Sequence, residues 1–222
     1  MSALPILTLE NPILRTRARK VRAVSPSLRA FIGDMIETMR AAPGVGLAAP
    51  QVGVGQRVIV IEYADEAQGD GAPPKLYAVV NPEIVRRSKE MVPGTEGCLS
   101  IPGYLGEVER HQTITVRGLD RNGKPMRLKA QDWLARIFQH EIDHLDGVLF
   151  IDRASRVWKP DPEEMAAVQA IAPSRASHPG EGIPEGIAPS IPEGIAPSRE
   201  APSQSAAEAV ASHPTTTPEE IP

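Results

Sequence analysis

The stretch His140-Glu141-Ile142-Asp143-His144 limits the structural options of this chain more than any other. Residues four apart on an α-helix differ by about 40° in azimuth, so a helix here points both imidazoles the same way and lets them share one ion. Glu141, on the same helix, reaches a water on that ion. The pattern reads as metal-assisted hydrolysis with Glu141 as general base.

The chain continues Leu145-Asp146-Gly147-Val148-Leu149-Phe150. A metzincin protease runs HExxHxxGxxH; this chain follows that pattern to Gly147 and then places Phe150 where the third histidine belongs. Phenylalanine does not bind metal, and a catalytic site of this type needs three protein ligands, so the third comes from elsewhere. His178 and His213 lie in a Pro/Ser-rich tail, and His111 falls in an expected strand. The single cysteine, Cys98, sits in Thr95-Glu96-Gly97-Cys98-Leu99-Ser100, which reads as a turn between two strand-forming runs. A thiolate is a strong ligand for zinc or ferrous iron. A lone cysteine is more often a small buried hydrophobe, and taken alone the residue leaves both readings open.

Taken together, three segments resemble the signature motifs of the peptide deformylase family, bacterial type. They are Gly44-Val45-Gly46-Leu47-Ala48-Ala49-Pro50-Gln51, Glu96-Gly97-Cys98-Leu99-Ser100 and Gln139-His140-Glu141-Ile142-Asp143-His144-Leu145, in the family's order and at its approximate spacing. Asn11 to Arg15 and Val108 to Arg110 are also family-like, so the resemblance covers roughly residues 5–155. It implies that Cys98, His140 and His144 hold one divalent metal ion, Fe2+ natively, with Zn2+, Ni2+ or Co2+ able to replace it. It further implies removal of the N-formyl group from the formyl-methionine of nascent polypeptides. Glu141 is then the proton shuttle, and the Gln51 amide and Leu99 backbone N–H are the oxyanion donors. Where several members carry arginine this chain has Leu105, so a charged substrate contact does not carry over to that position.

Gly44 and Gly46 follow a helix, where a glycine pair commonly caps and turns. A segment without side-chain bulk also lets a peptide backbone approach and add as a strand. Val45, Leu47 and Ile137 are candidates for the methionine pocket and equally for ordinary core. Gly97 is assigned to backbone geometry beside Cys98, and Arg110 to a pair with Asp143 or Glu96.

The expected fold is α+β: one domain of mostly antiparallel strands around a central metal-binding HExxH helix. Ser25 as N-cap, Pro26 at the first helical position and apolar Leu28, Phe31, Ile32, Met35, Ile36 and Met39 mark a first helix that Pro43-Gly44 ends. Arg57–Tyr63 and Leu76–Val80 read as strands, and Gln112–Leu119 with Lys124–Lys129 as a hairpin around Asp120-Arg-Asn-Gly123. The second helix is expected from Asp132, as N-cap, to Leu145, and a short helix opens at Asp161-Pro162-Glu163-Glu164.

The catalytic domain is assigned to residues 1–172 and a disordered tail to 173–222. The tail holds two arginines and seven glutamates, a balance of −5, against 22 basic and 21 acidic residues, or +1, in 1–172. It also holds 10 of the 23 prolines and a tandem octapeptide, Ile183–Ser190 and Ile191–Ser198, both IPEGIAPS. Such composition does not bury enough apolar surface to offset ordering entropy. No run approaches the ~20 apolar residues of a membrane span, and the basic Arg15–Arg22 stretch already overlaps the family pattern, which leaves no room for a transit peptide. The expectation is a cytoplasmic protein with no membrane partner and no specific nucleic acid. Transient ribosome association is open to the body but not to the acidic tail, which a polyanion repels.

Two rivals stand beside this reading. A thermolysin-like metalloprotease takes its third ligand from a later helix, and Glu163 and Glu164 follow His144 by 19 and 20 residues. A non-catalytic metal-stapled binding module leaves Glu141 without a task.

Overall fold

The computed structural model describes residues 3–42, 44–64, 73–164 and 166; the tail and the assigned boundary at residue 172 lie outside them. Helix α1 (Pro26–Ala41) forms as its sequence signals predict. Ser25 Oγ accepts the Leu28 amide, Pro26 occupies the first turn, and Leu28, Ile32, Met35, Ile36 and Met39 are buried. Strands β1 (Gly46–Ala48), β2 (Val58–Tyr63) and β3 (Lys75–Arg87) follow. Then come β4 (Met91–Val92), β5 (Thr95–Cys98), β6 (Ile101–Glu107), β7 (Arg110–His111), β8 (Thr113–Leu119) and β9 (Pro125–Gln131). Helix α2 (Asp132–Asp146) and strand β10 (Arg156–Trp158) complete the order. The result is an α/β mixture in which every strand pair within the sheets is antiparallel.

The five-stranded sheet has the order β1-β2-β3-β8-β9. Its centre explains the uninterrupted apolar run Val58-Ile59-Val60-Ile61. Side chains alternate faces along a strand, so Val58 and Val60 pack with α1 while Ile59, Ile61 and Tyr63 pack with Leu134, Phe138 and Ile142 of α2. One sheet is therefore covered by a helix on each face here. A second sheet, β10-β6-β5, packs its own cluster of Leu14, Ile101, Val108, Leu149, Phe150 and Ile151.

Several expectations are corrected. β3 does not stop at Val80 but runs to Arg87, although Asn81-Pro82 reads as a breaker. The chain passes it on a register shift between Val80 and Glu83, with Asn81 at φ 52. Asn81 then clamps the preceding segment, accepting the Val21 amide and donating to the Val21 carbonyl, both at 2.8 Å. Proline is tolerated at such a bulge. Asp132 is not the N-cap of α2. It is the first helical residue, Gln131 takes the cap position, and the Asp132 carboxylate accepts from Gln112 Nε2 at 3.2 Å instead. Cys98 ends strand β5 rather than lying in a turn, which begins at Leu99. At the far end, Glu164 N donates to Asp161 Oδ1 at 2.8 Å, the N-terminal cap expected there.

Helix α2 ends in a Schellman motif. Val148 N donates to Asp143 O at 2.9 Å and Gly147 N to His144 O at 3.3 Å, with Gly147 at φ 77. A Cβ on Gly147 would lie 2.7 Å from the Arg15 carbonyl oxygen. Gly147→Ala is therefore expected to cost about 1–3 kcal/mol, read as a lowered urea midpoint.

Candidate metal centre

Two elements bring the site together. On α2, His140 and His144 are one turn apart, their ring centroids 5.0 Å from each other. The end of β5 presents Cys98, whose Sγ lies 3.2 Å from His144 Nε2. Ligand atoms of Cys98, His140 and His144 all fall within 4.8 Å of one another. One thiol and two imidazoles form a donor set suited to a borderline divalent cation. Glu141 and His144 are buried, and Glu141 Oε2 and His144 Nδ1 are buried atoms without a hydrogen-bond partner among the described residues. A cation with an associated water fits the arrangement at Glu141, whose Oε2 lacks a partner; His144 turns Nε2 to Cys98, so its Nδ1 is not accounted for by such an ion.

Glu96 orients the first histidine. Its Oε2 accepts from His140 Nδ1 at 2.9 Å, which leaves Nε2 to face Cys98 and His144. The same carboxylate takes a two-pronged contact from Arg110, Nε to Oε1 at 2.8 Å and Nη2 to Oε2 at 2.9 Å, and a further bond from Arg136 Nη1 at 2.9 Å. Arg110 also reaches Asp143, so it pairs with both expected partners, and Arg153 closes on Asp143 at 2.6 and 2.7 Å. Burial pushes the Glu96 carboxyl upward. Hydrogen bonds from Arg110 and His140, with their charges, overcome that and hold it well below the usual carboxylate range. Burial likewise opposes charge on His140, but Cys98 and Glu96 outweigh it and raise that imidazole well above its ordinary value; burial and the neighbouring His140 push His144 well below. Glu141 has no such donors, and burial, aided by the charge of Glu96 and opposed by His140, lifts it to about 7.

Gln51 is buried beside this cluster. Ala48 N–H donates to its Oε1 at 2.8 Å, which turns Nε2 towards Cys98 Sγ at 3.6 Å and Ser100 Oγ at 3.2 Å. Gly46 lies against Glu141: a Cβ there would meet Glu141 Cδ at 2.8 Å. Gly44 faces the Leu99 side chain, which would stand 2.8 Å from an added Cβ. Gly97 is exposed and opposite Leu105. Val45 and Ile137 pack in one cluster with α2, whereas Leu47 is fully buried in the cluster of α1. The Leu47 side chain is thus core. Phe150, in the place of a third histidine, is buried and stacks on His140 with centroids 6.3 Å apart and planes 21° apart.

Sequence reasoning did not find Glu96 as the partner of His140, Ser100 as an acceptor for Gln51, or Arg136 and Arg153 as members of the ionic cluster. An acidic residue two places before a suspected ligand was the available signal for the first. The protease alternative loses its ligand: Glu163 and Glu164 are exposed, and Glu164 Oε1 accepts from Trp158 Nε1 at 3.1 Å.

Known proteins resemble this chain in sequence and fold. The family described as polypeptide deformylase matches residues 3–159. A peptide deformylase of Symbiobacterium thermophilum is 47% identical over 178 residues, 78% of each chain. One from Thermomicrobium roseum is 45% identical over 174 residues, 77% of this chain and 98% of its own. Among solved structures, the peptide deformylase of Ehrlichia chaffeensis in complex with actinonin has a TM-score of 0.66 at 45% identity, covering 70% of this chain and 91% of that one.

Glu96→Gln removes the anion that two guanidinium groups and an imidazole share, and is expected to cost about 3–5 kcal/mol. Because the folded-state carboxyl lies below its unfolded value of 4.5, its stabilising effect is complete above that value and fades as pH falls. Urea midpoints followed from neutral pH down through the acid range should decline in the native chain, and the part of that slope due to Glu96 should be missing in the variant.

Proposed function

This chain belongs to the polypeptide deformylase family and is a hydrolase that removes the N-formyl group from nascent peptides; we propose that it does so with Cys98, His140 and His144 holding one divalent cation, natively Fe2+. The observation that carries this is the convergence of those three ligands within 4.8 Å beside the unpartnered, buried carboxylate oxygen of Glu141. When bound, the cation supplies Lewis acidity, lowering the pKa of water towards ~7 and withdrawing charge from the formyl oxygen. Zn2+, Ni2+ and Co2+ accept the same donors and are expected to replace iron.

Glu141 takes the proton of the attacking water and delivers it to the departing amine. Its buried carboxyl, at about 7 without a cation, is drawn down by a neighbouring positive charge, which favours the ionised form needed to accept that proton. Gln51 presents Nε2 as oxyanion donor because the Ala48 amide fixes its other end, and the Leu99 N–H is its partner; one such donor is typically worth ~3 kcal/mol.

The edge position of β1 supports a substrate backbone adding alongside Gly44, Val45, Gly46 and Leu47 as a further strand. Val45 and Ile137 would contact the methionine side chain, and Gly97 the chain's approach beside Cys98. The partners are formyl-methionyl nascent peptides, met in the cytoplasm with transient ribosome association that does not use the acidic tail. Among the described residues no helix is long and apolar enough to cross a membrane.

Glu141→Ala separates this enzyme from a metal-stapled binding module. It is expected to keep its metal, measured by elemental analysis after anaerobic purification, while formate release from a formyl-Met peptide falls about 10²–10⁴-fold. Cys98→Ser should instead lower metal content. Undiminished turnover in Glu141→Ala would defeat the assigned proton path.

A further inference from the structure

Positive charge is concentrated on the β8–β9 hairpin. From Thr113 to Gln131 stand Arg117, Arg121, Lys124, Arg127 and Lys129 against one acid, Asp120, a balance of +4 where residues 1–172 total +1. Asp120 is engaged in the turn, its Oδ1 accepting the amides of Asn122 and Lys124 at 2.8 Å. All five cations are exposed. The register sets Arg117 opposite Arg127 and Thr115 opposite Lys129 on one face, while Ile114, Val116 and Ala130 point to α2 on the other. Like charges directly opposite repel. Glu83 balances Arg117 at 2.9 Å, but among the described residues no carboxylate pairs with Arg127 or Lys129. Helix α1 packs on β1 and β2 and leaves the β8–β9 end of this face uncovered. Charge on the edge strand β9, lysine especially, also guards it against pairing with another strand, but Arg117, Arg121 and Lys124 lie outside β9. A five-to-one excess of one sign makes a field for a polyanion.

The chain carries such a polyanion. Pro173–Pro222 has seven glutamates and two arginines, −5, in 50 residues. The contour length available to 50 residues, at up to ~3.3 Å each, far exceeds a radius of gyration of about 15 Å for the domain, so the segment is long enough to reach any face. Tethering holds it at an effective concentration on the order of millimolar. We propose that the acidic segment Pro173–Pro222 docks on the basic solvent face of the β8–β9 hairpin and shields that face from external polyanions. The contact is electrostatic, which makes it sensitive to salt.

The test uses the full chain in three forms: native, with the seven tail glutamates changed to glutamine, and with Arg127→Glu and Lys129→Glu. At about 20 mM salt, amide resonances of residues 113–131 are expected to differ between the native and tail-neutralised chains, and to converge at about 0.5 M. Poly(U) should bind the tail-neutralised chain about tenfold more tightly than the native one at low salt, and the hairpin variant weakly. Deformylation of a short peptide should be equal in all three. Differences located outside 113–131 would overturn the proposal. So would equal poly(U) affinity for native and tail-neutralised chains, which would assign the face to an external nucleic acid instead.

Discussion

The carboxylate of Glu96 is where the separate parts of this molecule meet. It sits on β5, accepts from Arg110 of β7 and from Arg136 and His140 of α2, and Arg136 continues to the carbonyls of Val92 and Val108. Strand β5 supplies Cys98 and α2 supplies His140 and His144, so one anion sets the distance between the two halves of the candidate metal site. Its negative charge is retained in a buried place because three cationic or polar donors saturate it. Replacing any partner leaves charge uncompensated beside Cys98, His140 and His144, which is why structure and chemistry are hard to separate here.

How much of this was visible beforehand depends on how local the signal is. Helix α2 was legible because His140 and His144 are related by one helical turn and Gly147 supplies the left-handed residue that closes it. Helix α1 and strand β2 were legible for the same reason: cap, proline and periodicity in one, a β-branched run in the other. The short strands β1, β5 and β6 were not. They are rich in glycine, and they exist because a neighbour pairs with them. The extension of β3 past Pro82 depends on Asn81 gripping Val21, sixty positions away. Among site residues, chemistry and family likeness singled out Cys98, His140 and His144, which the fold brings within 4.8 Å of one another. The Glu96 cluster joins side chains 14, 40 and 44 positions apart, which no spacing rule reports.

The two faces of the central sheet carry different duties. Towards α2 the face is apolar and packs on the helix that carries His140 and His144. Towards α1 it begins as core at Val58, Val60 and Val80 and passes into a row of exposed arginine and lysine on β8 and β9. The transition occurs within one strand: Leu119 packs with the α1 cluster and Arg117, two residues earlier on the same face, is exposed. The helix bearing His140 and His144 and the surface charge thus lie on opposite sides of one sheet and can vary separately.

Gly46 illustrates the opposite situation, in which two functions share one atom's width. Its missing side chain is the space that the Glu141 carboxyl occupies. For anyone diversifying this enzyme, that makes position 46 a poor place to begin a library: even alanine competes with the Glu141 carboxyl for the same space. Gly97 is the milder case: it is exposed, and the atom nearest to an added Cβ would be the side chain of buried Leu105, 3.1 Å away.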